Sequence, residues 1–241
     1  MTSSPPPRPK GDQVSLVDSF KRLATWLRDH DAVALMQTLS VGAKPLHLSK
    51  LEQKLGFALP AGQRTLWLLH DGQRKPNDCL VSDLHLLPVA WVVNRRPAAL
   101  KVLARVRAGD HEKAAGLTLE ELSSEQWLPI ASNDEHVVLV NARSGRVFES
   151  LTEAPFLKLV GATVPQWLEG WVDSLERGEH QLVRSHDGAF FTSLAASAVA
   201  EASEDDDDDD DDEVDEVDDA DADDEDDDED DGAADEDEPE A

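Results

Sequence analysis

The chain has 241 residues, and its charge divides it into two parts. Of its 52 acidic residues, 30 lie between positions 201 and 241, where no lysine or arginine occurs, so the remaining 22 acids balance the 22 bases of residues 1–200. The single cysteine, Cys79, excludes an internal disulfide framework, and the lack of a continuous apolar stretch of about 20 residues excludes a membrane-spanning helix.

The N-terminal residues and the single cysteine predict the cellular compartment of the protein. Residues 1–13 form a flexible Pro-rich leader that lacks the apolar segment of a secretory signal peptide. A lone cysteine also fits a reducing compartment. We therefore expect a cytoplasmic protein that does not associate with membranes.

Two helices are predicted at the start of the body. Apolar residues recur every three or four positions over 14–30, which indicates an amphipathic helix with Val17, Phe20, Leu23, Ala24 and Leu27 on its buried face. A second, short helix is predicted to begin at Ser49, with Glu52 as its capping-box partner, and to end at Gly56.

A third helix raises the question of an active site. It is predicted to begin at Leu59-Pro60, to bury Leu66, Trp67 and Leu69, and to stop at Gly72, because a glycine accepts the left-handed conformation that ends a helix. His70 and Asp71 stand side by side at its end. We interpret His70 as a residue that interacts with the helix dipole when protonated, because adjacent helical residues diverge and no nucleophile accompanies the pair.

The middle of the chain predicts strands around one more helix. Residues 79–82 are a short predicted strand, and Pro97 is predicted to begin a helix that ends near Ala108, with Leu100, Leu103, Ala104 and Arg107 along it. Three strands are expected over 126–132, 135–141 and 145–150, and a Gly-containing hairpin loop joins the last two.

The last predicted helix runs from Pro165 to Gly178, with Trp167, Leu168, Trp171 and Leu175 on one face. The order of the predicted elements, with helices first, then strands and then a final helix, predicts an α+β fold in which helices flank an antiparallel sheet. One domain is expected over 14–190. Residues 191–202 form a join, open between a last strand and a short helix, and 203–241 form a disordered polyacidic tail.

Few patterns point to chemistry. The eight histidines form no H-x-x-x-H pair, so no metal ion, cofactor or catalytic residue is expected in the body. Arg95-Arg96 and Arg105-Val106-Arg107 form a basic segment that either meets an anion or is the solvated face of a helix. Residues 227–238 approach the spacing of a calcium loop, but no amphipathic helix flanks them, so chance explains the match.

The tail has two interpretations that the sequence leaves open. It is either a solubilising segment or a polyanion that attracts a basic protein surface through long-range electrostatics. In the second interpretation the partner-binding residues are those of the longest aspartate run, namely Asp205, Asp206, Asp207, Asp208, Asp209, Asp210, Asp211 and Asp212.

Two segments resemble the signatures of the SUKH superfamily, which contains cell-wall-assembly regulators and bacterial immunity proteins. Residues 48–73 have its Leu-Glu pair, Leu-Pro step, aromatic helix and closing glycine, and 127–150 have its Trp, Pro-containing strand and Gly-x-Val hairpin. The sequence departs from the pattern at Asn141, where an Asp is usual, at Asn133-Asp134, and over 94–125. The signature positions are Leu59, Pro60, Trp67, Gly72, Trp127, Pro129 and Gly145.

The resemblance, which covers about residues 14–185, implies a single SUKH-like domain that binds a protein and catalyses nothing. It implies most directly an immunity protein that neutralises a co-encoded toxin, such as a nuclease. The alternative is a regulatory scaffold or an acidic, chaperone-like binder of basic proteins. In either case we expect a protein partner with a basic surface and no direct binding of nucleic acid, and the sequence does not fix the oligomeric state.

Overall fold

The computed structural model describes residues 15–108, 116–133, 135–151, 153 and 156–194. The predicted leader, the acidic tail with Asp205–Asp212, and the calcium-loop match lie outside the described residues. The helices are α1 Leu16–Asp29, a 3₁₀ helix Val33–Thr38, α2 Pro45–Leu55, α3 Ala61–Leu69, α4 Val89–Ala108, α5 Leu119–Ser123 and α6 Val164–Glu176. The strands are β1 His85–Leu86, β2 Trp127–Ser132, β3 His136–Asn141, β4 Val147–Leu151, β5 Lys158–Gly161, β6 His180–Arg184 and β7 Ala189–Ser193.

The α+β prediction is confirmed. Strands β1 to β5 form one sheet in sequential order, and every neighbouring pair is antiparallel. Strands β6 and β7 form a separate antiparallel hairpin. Within the described ranges, no helix combines the length and the apolar composition needed to cross a bilayer.

The sheet has an apolar core on each face, because successive side chains of a strand point to opposite sides. In β3, Val138 and Val140 belong to the larger core, which also holds the buried faces of α1, α2, α3 and α6. Val137 and Leu139 belong to a smaller core with the second half of α4. Helices therefore cover both faces of the sheet.

The first helices begin and pack differently from the predictions. Val17 of α1 is exposed, and Leu16 is buried in its place. Helix α2 begins at Pro45 rather than Ser49, because proline suits the first helical position, and the Ser49 hydroxyl donates to the Pro45 carbonyl within the helix. Gly56 ends α2 in the left-handed conformation, as predicted.

Helix α4 begins eight residues earlier than predicted, with Pro97 inside it. Its start is fixed by Asp71, whose Oδ1 accepts a hydrogen bond from the Val89 amide at 2.7 Å. This bond satisfies one of the free amides at the helix start. Val92 is buried in the larger core, and this packing offsets the cost of an internal proline. In its second half the buried residues are Ala99, Val102, Leu103 and Val106, so Leu103 is buried, Leu100 is partly buried against the smaller core, and Ala104 is exposed.

The predicted strand at 79–82 is wrong. Val81 makes a single bridge to Leu84, and Ser82 has φ +55°, so the chain turns there and the first strand is β1. The backbone of this turn bonds instead to β7, since the Cys79 amide donates to Ala189 O.

Strands β2, β3 and β4 and helix α6 agree with the predictions, whereas the 3₁₀ helix, β1, α5 and β5 were not predicted. The join over 191–202, left open between a last strand and a short helix, begins within β7 of the β6–β7 hairpin, and its residues from 195 on lie outside the described part of the chain. Strand β7 extends to Ser193, so the proposed domain boundary at residue 190 falls inside a strand.

Candidate functional site

The signature residues have structural positions. Trp67 and Trp127 are buried, and their indole N–H groups donate to Leu87 O at 3.0 Å and Glu121 O at 3.2 Å. Leu59 is buried. Pro60 precedes α3 as its N-cap, Pro129 lies at a register shift in β2, and Gly145 has φ +74° in the β3–β4 hairpin. These residues hold elements together and leave no group for chemistry.

Asn141 performs the task expected of an aspartate at its position. It is fully buried, and its Oδ1 accepts hydrogen bonds from the amides of Arg143 at 3.0 Å and Ser144 at 3.2 Å. A side-chain oxygen that bonds amides two and three residues ahead closes a turn. The departure from the signature therefore keeps the hairpin.

His70, Asp71 and Gly72 each have a structural role. Helix α3 ends at Leu69, and the half-buried His70 ring packs edge-on against Phe20 with 4.7 Å between ring centres. Burial lowers the pKa of His70, although the Ser40 carbonyl near Nδ1 acts in the opposite direction, so burial disfavours the protonated form that the dipole interpretation requires.

Asp71 caps α4, and Gly72 is required for close packing rather than for the end of α3. Gly72 lies three residues beyond Leu69 with φ +68°, and a Cβ there would be 2.4 Å from the backbone nitrogen of Pro88. Both residues therefore attach the end of α3 to the start of α4.

The basic segment of α4 mostly binds backbone carbonyls, which neither interpretation predicted. Arg96 donates to Trp127 O at 3.1 Å and Glu125 O at 2.5 Å. Arg107 donates to Ser124 O at 2.6 Å and to Leu122 O, and Arg105 donates to Glu153 O at 2.8 Å. Arg96 and Arg107 hold the helix against the chain that enters β2, and Arg105 holds it against the chain that follows β4.

Sequence reasoning missed a buried ion pair next to this segment. Glu121 forms a capping box with Thr118 at the start of α5 and pairs with Arg146 at 2.6 Å. Burial raises the pKa of Glu121, but hydrogen bonding from Ser144 and Thr118 and the charge of Arg146 outweigh it, so the net pKa is lowered. The Thr-x-x-Glu spacing of 118–121 was the signal that could have revealed it.

One concave surface of the described residues is an open groove of about 900 Å³. We call it the hairpin groove. Its three walls are residues 31–38, at the 3₁₀ helix, residues 74–78, after α3, and residues 182–189, at the β6–β7 hairpin. No sequence pattern pointed to it, because the three walls are distant along the chain.

Short contacts fix the walls of the hairpin groove. Asp78 Oδ1 accepts from the Ala189 amide at 3.2 Å, and Gly188 lies so close to Asn77 that a Cβ would be 2.1 Å from the Asn77 carbonyl oxygen. Arg184 donates to Asp31 O at 2.8 Å, and Asp31 has φ +54°. The groove is therefore formed before any partner arrives.

The groove walls carry charges of both signs among apolar residues such as Pro76 and Leu182. Arg74, Lys75 and Arg184 contribute positive charge, and Asp31, Asp78 and Asp187 contribute negative charge. Lys75 and Asp78 form an ion pair at 3.6 Å, and the guanidinium of Arg74 donates to Gln37 O. Such walls suit a polar protein surface better than an apolar small molecule.

Other reactive groups give no site in the described part of the chain. No three His, Cys, Asp or Glu side chains among these residues are grouped so as to hold a metal ion. Cys79 is buried, and burial raises the pKa of its thiol to about 12, which keeps it protonated and unreactive.

Comparison with known proteins locates this geometry within a family. The sequence model of the SMI1/KNR4 family (SUKH-1) matches residues 42–170. A search of curated proteins found no match. The matched stretch includes the signature residues and the 74–78 wall, whereas the 31–38 and 182–189 walls lie outside it.

Proposed function

We propose that this chain, which belongs to the SMI1/KNR4 family (SUKH-1), is a protein-binding module that acts as an immunity protein against a co-encoded toxin. Domains of this family are generally non-enzymatic binding domains that interact with protein toxins. The chain would bind the toxin in the cytoplasm of the cell that makes both proteins. Binding alone would then prevent the toxin from acting.

The observation that carries the proposal is the contrast between the family signatures and the hairpin groove. The signature side chains are buried or placed in turns, so they offer nothing to a substrate. The groove instead presents exposed polar groups on a frame fixed by the Gly188–Asn77 contact. A preformed polar surface loses little entropy on binding a protein.

The 30 acidic residues of 201–241 support a partner with a basic surface, such as a nuclease domain. Opposite charges raise the rate of association, and the effect weakens as salt rises, because the screening length falls from about 30 Å at 0.01 M to about 8 Å at 0.15 M. We propose that Asp205–Asp212 and their neighbours attract the toxin and that the body confers specificity.

The same acidic composition favours one rival function, a chaperone-like binder of basic proteins in general. The rival predicts similar affinity for unrelated basic proteins and strong dependence on the tail. Immunity predicts one preferred partner that the body recognises by shape.

Co-expression with the toxin domain encoded beside this gene tests the proposal. We expect growth to be rescued, and the purified full-length chain to bind that domain but not lysozyme, a basic control, at physiological salt. Removal of residues 203–241 should slow stopped-flow association at low salt and leave specificity intact. Failure to rescue growth, together with equal binding of lysozyme, would favour the rival.

A further inference from the structure

Arg95 differs from the other arginines of α4. Arg96, Arg105 and Arg107 each donate to a backbone carbonyl, as described above. The exposed Arg95 forms no hydrogen bond or ion pair with any residue of the described ranges. Among the described residues its guanidinium donors are therefore unused.

Arg95 lines a small cleft between α4 and the sheet, which we call the α4–β2 cleft. Its volume is about 160 Å³, and its apolar walls are Ala98, Ala99 and Val102 of the helix and Pro129 and Val137 of the strands. Space remains between the helix and the sheet because the helix side of the cleft carries the small residues Ala98 and Ala99 beside Pro129. Apolar cavities of about 150 Å³ accommodate a benzene-sized group.

The cleft also contains polar groups beside Arg95. Ser132 is 6 % exposed, and within the described chain its hydroxyl has no hydrogen-bond partner. The neighbouring Asn133 amide already donates to Asp83 Oδ2 at 2.7 Å. The unused donors at this cleft are thus a guanidinium and a hydroxyl, which both suit an anionic oxygen.

We propose that the α4–β2 cleft binds a segment of a protein partner in which an apolar side chain is followed by a carboxylate. The apolar side chain enters between Ala98 and Pro129, and the carboxylate pairs with Arg95. Arginine is among the residues enriched at the hot spots of protein interfaces. The inference rests on the proposed function only in taking a protein segment as the ligand, and the toxin is not needed to test it.

The test uses the ¹⁵N-labelled full-length chain and two capped tetrapeptides, one with phenylalanine followed by aspartate and one with phenylalanine followed by asparagine. We expect the aspartate peptide to shift amide signals of residues 95–102 and 129–137 and to bind several-fold more tightly than the asparagine peptide. Arg95→Gln should remove that preference. Lys101→Gln, which removes an exposed charge from the same helix outside the cleft, should retain it.

A second variant tests the apolar part of the cleft. Ala98 is exposed on the helix, so Ala98→Leu fills the cleft from its surface side without disturbing the buried core. It should abolish binding of both peptides. Shifts that are absent at about 10 mM peptide, or that Ala98→Leu leaves unchanged, would overturn the inference. Neither result bears on whether the toxin binds the hairpin groove.

Discussion

The stretch that matches the family and the segments that flank it use similar residues for different purposes. Within 42–170, Asp71, Trp127 and Arg96 bind groups inside the body and hold helix to strand. In the flanks, Arg184 and Asp31 fix a wall whose outer side stays open to a partner. The family signature therefore identifies the frame, while the proposed partner surface takes two of its three walls, 31–38 and 182–189, from outside the matched stretch.

The largest expected effect is a loss of stability in the frame, which is the set of helices and strands held together by the buried signature residues. Trp127→Ala removes a fully buried indole that packs on Phe148 and donates to Glu121 O, so it should lower the free energy of unfolding by about 3–5 kcal/mol. Urea denaturation measures this change. Trp91→Ala, at a partly exposed tryptophan of α4, is the matched control and should cost far less. Equal losses would show that Trp127 is not part of the frame.

A smaller effect should be confined to the groove. Gly188→Ala places a Cβ against the Asn77 carbonyl, so the hairpin must move away from the 74–78 wall, at a cost of about 1–3 kcal/mol. Faster hydrogen exchange over 182–189, with the five-stranded sheet unchanged, is the expected readout.

Gly170→Ala is the matched control for that prediction. It lies within α6, where a Cβ meets nothing within 4 Å, and alanine should stabilise the helix by about 0.5–1 kcal/mol. If Gly188→Ala lowers the stability and Gly170→Ala raises it, the loss at Gly188 comes from steric contact and not from the exchange of glycine for alanine as such. If both variants lose stability equally, the Gly188 contact is not what fixes the groove.

The sequence predicted what local periodicity controls. Helix α6 and strands β2 to β4 follow from apolar spacing and a turn glycine. The start of α4 does not follow from local spacing, because the residue that caps it, Asp71, lies 18 residues earlier in the sequence. The hairpin groove was also beyond prediction, since it depends on a contact between Asn77 and Gly188 that no local pattern encodes.

The smallest expected effect is the pH dependence of folding stability. Burial lowers the pKa of His70 below its ordinary 6.5, so the unfolded chain binds a proton more readily than the folded one. The stability that neutral His70 contributes is complete above pH 6.5 and is lost as pH falls through the folded-state pKa. His180, whose pKa burial also lowers, acts in the same direction.

His70→Gln should therefore flatten the decline of stability between about pH 7.5 and 5.5 without removing it. Urea midpoints measured across this range provide the comparison. Parallel pH profiles for the variant and the wild type would contradict the role assigned to His70.

Hydrogen exchange of the full-length chain with and without the neighbouring toxin domain tests most directly whether recognition occurs in the hairpin groove. We expect binding to protect amides in 31–38, 74–78 and 182–189, the three walls of the groove. A tight complex in which these three segments exchange as fast as in the free protein would contradict it.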